Sequence, residues 1–268
     1  MFVGGIRMSS TQVELTWKGA IAYIRINRES RRNSLDNATI IEFLRLLEEV
    51  RRSETVCLVV TGEGDRAFCA GSDIKALASY SAADAEYHTY LFQKLAETLD
   101  EMPCATIAAI EGACLGGGLE IALACDYRIA ASNATFGFPE ITVGALPTGG
   151  GTVRAPRAIG LSRSRELMLF GDRIPAERAE SIGLISSLAP PGETRSIALE
   201  RAKELASKTN RDSVKLLKAI LVGGAGVSAK AGHLMAYLAD VSLVRSESFK
   251  QGVSSFGETP QASTSPKA

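Results

Sequence analysis

Histidine is almost missing from this chain of 268 residues: there are two, His88 and His233, each alone in its segment. A two-histidine metal site or a Ser-His-Asp triad has almost no material to work with. Cysteine is scarce and odd in number. Cys57, Cys69, Cys104, Cys114 and Cys125 follow no metal spacing, and most sit in apolar runs. They read as buried free thiols of a reducing, cytoplasmic compartment. Net charge is lacking too, since 30 Lys and Arg balance 30 Asp and Glu. That gives no reason to expect nucleic acid or an anionic membrane as partner, so any anion site must be built locally. No apolar run reads as a membrane span. The longest such region, Ala105 to Cys125, is broken by Glu111, Glu120 and four glycines. Met1 to Ser10 lacks the basic start and long apolar stretch of a signal peptide, and Met8 serves equally well as a start.

What is present is an ordinary globular balance, 46% hydrophobic and 22% charged. Gln12–Trp17 and Ile21–Asn27 flank a Lys18-Gly19 turn, which predicts a hairpin. Apolar spacing through Ile40, Phe43, Leu44 and Leu47 predicts a helix, and Val56–Val60 a buried strand. A helix over Ala82–Leu99 follows, then a strand over Cys104–Ile110, a helix from Leu119 and a strand over Tyr127–Ala131. From Ala155 helical patterns dominate and end in one long helix from Ala229 to about Phe256. The organisation read from this is an α/β core with the active site at 11–195 and a helical region at 196–256. The ends, 1–10 and a Ser/Thr/Pro-rich tail at 257–268, are expected to be disordered. The last helices carry apolar faces (Leu234, Tyr237, Leu238, Val241, Leu243, Val244) with little sheet left to cover.

Three segments carry chemistry. In Arg66–Ile74 small residues around Gly71 let backbone N–H groups approach a ligand. In Gly112–Glu120 three glycines lie between a strand and a helix, where bare N–H groups favour an anion. Glu120 follows Gly117 by three residues and shares its helix face. In Phe136–Thr152, Glu140 sits among apolar residues, a setting that raises a carboxyl pKa toward neutrality. His88 reads as a surface helix residue, within a segment (Ala76–Tyr90) expected to shape a tail pocket.

Together AFCAGSDI (67–74), EGACLGGGLEIALACDYRIA (111–130) and FGFPEITVGALPTGGGT (136–152), in this order and spacing, resemble the enoyl-CoA hydratase/isomerase or crotonase superfamily. The resemblance covers nearly the whole chain. It implies an α/β fold, a crotonase-like spiral of ββα units, with a C-terminal helical oligomerisation region that builds homotrimers or homohexamers. It implies an oxyanion hole from the N–H groups of Ser72 and Gly117, and catalysis by Glu120 and Glu140. Acyl-CoA would be the substrate partner, contacted by Arg32, Ser34, Leu35, Arg66, Ala70, Gly71, Asp73, Ile74, Leu115, Gly116 and Pro139. No metal and no separate cofactor are expected, because coenzyme A is part of the substrate. Retention of both glutamates points to hydration of a trans-2-enoyl-CoA. The alternatives are double-bond isomerisation, a specialised dehydratase of the carnitinyl-CoA type and, more remotely, a non-catalytic acyl-CoA-binding protein. The sequence departs from the family at Ser72, at Thr148–Thr152, and after Phe256, where the common basic ending is replaced by Gly257-Glu258-Thr259-Pro260.

Overall fold

The computed structural model describes residues 11–255. The ends expected to be disordered, 1–10 and 257–268, lie outside the described residues, as does Phe256.

The chain alternates between two sheets. β1 (Val13–Lys18) and β2 (Ile21–Ile26) form the predicted antiparallel hairpin. β3 (Cys57–Gly62) pairs parallel with β2. β4 (Ala67–Cys69) leaves for a second sheet, and β5 (Ala105–Ile110) returns beside β3. β6 (Ala113–Leu115) and β7 (Tyr127–Ala131) repeat the excursion, followed by β8 (Thr135–Gly137), β9 (Arg173–Pro175) and β10 (Ser187–Ala189). The sheets run β1-β2-β3-β5-β7-β10 and β4-β6-β8-β9. The helices are α1 (Asn37–Arg52), α2 (Ile74–Leu77), α3 (Ala82–Asp100), α4 (Gly117–Leu123), α5 (Gly151–Ile159), α6 (Leu161–Phe170), α7 (Ala176–Ser181), α8 (Thr194–Lys208), α9 (Arg211–Gly223), α10 (Ala229–Leu243) and α11 (Glu247–Ser255). Strand in one sheet, strand in the other, then helix is the expected ββα spiral.

The central strands are apolar on both faces, as strands covered on both sides must be. Along β3, Leu58 and Val60 enter the main core, while Cys57 and Val59 face α8. β5 repeats the pattern with Ala108 and Ile110 against Ile107 and Ala109. α8 meets this outer face through Ala198 and Ala202, small enough for close approach. All five cysteines are buried and free.

Two expectations change. The short strands of the second sheet went unpredicted. The long terminal helix is two helices: the chain breaks between Leu243 and Glu247, where Ser246 Oγ donates to Leu243 O at 2.7 Å and accepts from Phe249 N at 3.2 Å. A serine that answers the orphan N–H of a new first turn starts a helix. α9 is pinned at two places: Arg211 donates to Arg51 O at 2.8 Å, and a buried lysine makes the second anchor. Lys218, 7% exposed, reaches Asp126 Oδ2 at 2.8 Å, Thr106 Oγ1 at 3.2 Å, and the carbonyls of Leu99 and Cys104 at 3.4 Å.

Candidate active site

Two loops at the ends of second-sheet strands meet here. After β4, Leu35 N donates to Gly71 O and Asp73 N to Leu35 O, both at 2.8 Å. This ladder fixes residues 71–73 and passes over the Ser72 N–H, which finds no acceptor among the described residues. After β6, Gly116 takes φ +53°, donates to Gly137 O at 2.9 Å and accepts the first bond of α4 from Glu120 N at 3.0 Å. The Gly117 N–H is one of the orphan donors of a helix start and has no acceptor among the described residues. The loops are in close contact: a Cβ on Gly71, itself at φ +88°, would lie 2.9 Å from Gly117 N. A Cβ on Gly117 would lie 2.4 Å from the Phe92 ring, so packing against α3 demands glycine there.

Both glutamates reach this place. Glu120 is 3% exposed, and its Oε1 accepts from Gly151 N at 2.7 Å. Burial raises its pKa, opposed by the Gly151 and Gly149 N–H groups and by the Arg154 charge. A Cβ on Gly149 would lie 2.7 Å from Glu120 Oε2, so this turn must be glycine to wrap the carboxylate. Glu140 sits on a 3₁₀ turn, Pro139–Val143. Burial pushes its carboxyl up to about 7, a backbone hydrogen bond works against that, and the Glu120 charge reinforces it. Its Oε2 is buried without a hydrogen-bond partner. A Cβ on Gly116 would lie 2.7 Å from Glu140 Oε1, which places this carboxyl over the glycine turn.

A cavity of about 700 Å³ joins these groups, a volume suited to a small organic ligand. Arg32, Ala70, Gly71, Ser72, Ile74, Leu115, Gly116, Gly117, Glu120, Pro139 and Glu140 all line it. Ser34, Leu35, Asp73 and Arg66 lie outside the wall. Leu35 is buried behind the Gly71 loop. Asp73 Oδ1 accepts from Lys75 N and Ala76 N at the start of α2, while Oδ2 pairs with Arg28 at 3.1 Å. Arg28 also pairs with Asp36 at 2.8 Å and donates to Ser34 O. Arg66 is exposed, and its carbonyl accepts from Ala113 N at 3.1 Å. Among the described residues no group of three His, Cys, Asp or Glu could hold a metal ion, and no helix is long and apolar enough to cross a membrane.

His88 corrects the sequence reading. It is not a surface residue but 4% exposed and on the cavity wall. Nε2 lies 2.9 Å from Ser72 Oγ and Nδ1 lies 2.7 Å from Asn37 Oδ1. The signal was present: His88 falls four residues before Phe92 and seven before Leu95, on the buried stripe of α3. The sequence reading also omitted Arg173 and Thr142–Leu146 from the wall.

The family described as "Enoyl-CoA hydratase/isomerase" has a sequence model that matches residues 16–265. A "Crotonyl-CoA hydratase" of Syntrophomonas wolfei is 34% identical over 258 residues, covering 95% of this chain and 98% of that protein. A bovine protein, "Enoyl-CoA hydratase domain-containing protein 2, mitochondrial", is 34% identical over 89% of this chain and 82% of its own. The crystal structure of an enoyl-CoA hydratase from Bacillus anthracis superposes with a TM-score of 0.88 at 32% identity, covering 91% of this chain and 95% of that one.

Proposed function

The chain belongs to the enoyl-CoA hydratase/isomerase family, and from that premise we propose that it is an enoyl-CoA hydratase, adding water reversibly to a trans-2-enoyl-CoA to give the 3-hydroxyacyl-CoA. The observation that carries this reading is the glutamate pair on one cavity wall: Glu120 held by two backbone N–H groups, Glu140 poised near neutrality.

The thioester oxygen takes the unused N–H groups of Ser72 and Gly117. These strengthen as charge develops on that oxygen in the enolate, and one such donor contributes about 3–4 kcal/mol to lowering the barrier. Water sits against Glu120, which takes its proton as oxygen attacks C3. Glu140, protonated, gives its proton to C2. The reverse steps eliminate water. The pair still carries one proton, now on Glu120, and it returns to Glu140 by exchange with solvent before the next turnover. Coenzyme A enters as part of the substrate, and no other cofactor is needed. Arg32 on the wall meets its phosphates, and exposed Arg66 serves as an outer contact.

We extend the reading to assembly as a trimer or hexamer through the C-terminal helices. The support is α10, which buries none of its own residues and leaves Leu234 57%, Tyr237 65% and Leu238 59% exposed.

The test is hydration of crotonyl-CoA, followed by loss of the conjugated absorbance. Glu120→Gln and Glu140→Gln are each expected to lower it at least about a hundredfold with the fold intact. Near-native turnover in either variant would rule out the two-glutamate mechanism.

A further inference from the structure

Hydration leaves one cluster on the cavity wall without a task. Ser72 Oγ, His88 Nε2, His88 Nδ1 and Asn37 Oδ1 form an unbroken line at 2.9 and 2.7 Å. The direction of its protons is fixed. Asn37 Nδ2 faces the Asp84 carbonyl at 3.4 Å, so Oδ1 is the atom turned to the ring. An amide oxygen only accepts, so Nδ1 carries the ring proton and Nε2 presents its lone pair to the Ser72 hydroxyl. The imidazole is also held in place. Tyr80 and Phe92 meet it edge-on, at 5.8 and 5.1 Å between ring centroids. Burial lowers its pKa, with the Asp36 charge working against that, so the ring is neutral at pH 7.

The position of the hydroxyl matters as much as its base. Ser72 supplies one of the two unused backbone N–H groups, and Gly117 the other. Serine hydrolases use this arrangement: the nucleophile's own N–H is half of the oxyanion hole, and its Oγ attacks the carbon whose oxygen the hole holds.

We propose that Ser72, His88 and Asn37 form a serine acyl-transfer centre that hydrolyses the acyl-CoA thioester held in this cavity, a thioesterase activity beside hydration. It rests on the reading that the cavity takes acyl-CoA. Ser72 Oγ bonds to the carbonyl carbon as His88 Nε2 takes the hydroxyl proton. The carbon–sulfur bond breaks, His88 returns the proton to sulfur, and free coenzyme A leaves an acyl ester on Ser72. Water, deprotonated by His88, attacks that ester. The carboxylic acid leaves and the serine hydroxyl is restored. Water is the only co-reactant. Asn37 holds the ring tautomer and touches no reacting atom; it is a positioning residue.

The substrate for the test is butyryl-CoA, which has no double bond and cannot be hydrated. Thiol release is followed with a chromogenic disulfide; the protein's five cysteines are buried and add little background. The full chain is expected to release thiol above the uncatalysed rate. Acid-quenched samples are expected to carry a butyryl mass on Ser72, located by peptide mapping. Ser72→Ala and His88→Gln, each checked for an unchanged melting temperature, are expected to lower release at least about a hundredfold. The adduct in the unaltered protein tests the centre even if a variant misfolds. Equal release by Ser72→Ala, or no release and no adduct, overturns the centre. Hydration of crotonyl-CoA by the same preparation separates the two readings. Hydration without thiol release removes the acyl-transfer centre and leaves the hydratase. Adduct and release without hydration do the opposite. The absence of all three removes both.

Discussion

The α/β core and the C-terminal arm bury opposite kinds of residue. β3 and β5 are lined on both faces mostly by aliphatic and small side chains packed into the two cores. α9 buries a single side chain, and it is a lysine; α10 buries none. The core is therefore specified by its own sequence, and hydrophobic burial accounts for it. The arm holds to the core through two cationic side chains, Arg211 and Lys218, and turns its leucines and tyrosine outward. Its apolar residues gain from burial only against a second surface. The site draws on the core alone: among the described residues every group on the cavity wall comes from the segment 32–173. The candidate site and the arm are thus separable in principle.

The harshest way to break that comparison is to delete the arm from Asp212. Lys218 then leaves Asp126 unpaired and the core surface beneath α9 uncovered. Insoluble protein is the expected outcome on expression; a soluble, active fragment would show that the arm is dispensable. Next in size is Gly117→Pro, which removes the donor N–H and pushes a side chain into Phe92. Turnover of crotonyl-CoA is expected to fall at least about a thousandfold, while light scattering still finds the native oligomer. Loss of assembly would mean that the two regions are coupled.

A gentler probe acts on the core by pH. Glu140 lies at about 7, raised from the ordinary carboxylate range, so its proton is present below that value and lost as pH rises through it. Hydration consumes no net proton, and both directions use the same singly protonated pair. The kcat/KM for hydration and for dehydration are therefore expected to fall together, about tenfold per pH unit above 7. A profile flat to pH 9 would remove Glu140 as the donor. Smallest is Lys218→Met, which tests the buried anchor. Asp126 is partly solvated, so the cost is expected at about 1–3 kcal/mol in denaturant midpoints, with turnover per folded site unchanged.

How much could be read in advance follows the same division. The hairpin, β3, β5, β7 and α1 announce themselves through period and β-branching. The glycine turns and both glutamates stand in unbroken motifs. The second sheet was hidden because β4, β6, β8 and β9 have three residues each, too few for alternation to register. The break at Ser246 was masked by apolar spacing that continues across it, although Ser246-Glu247 has the make-up of a helix start. His88 was misjudged because one polar residue on a helix is usually solvated. Its partners, Ser72 and Asn37, lie 16 and 51 positions away, and only the fold brings them together. Arg66 illustrates the reverse: adjacent in sequence to the Gly71 loop, it lies outside the cavity wall.

The ammonium of Lys218 also sets an order of events. Its acceptors come from the end of α3, the entry to β5 and the segment before β7, which must all be in place before four oxygens converge. On a chain emerging from its N-terminus, the Lys218 ammonium has nothing to grip until that corner of the core exists. Seating of Lys218 thus reports on a finished corner of the core. In the assembly proposed above, subunits would pair only through arms that have already docked, which would keep half-folded chains out.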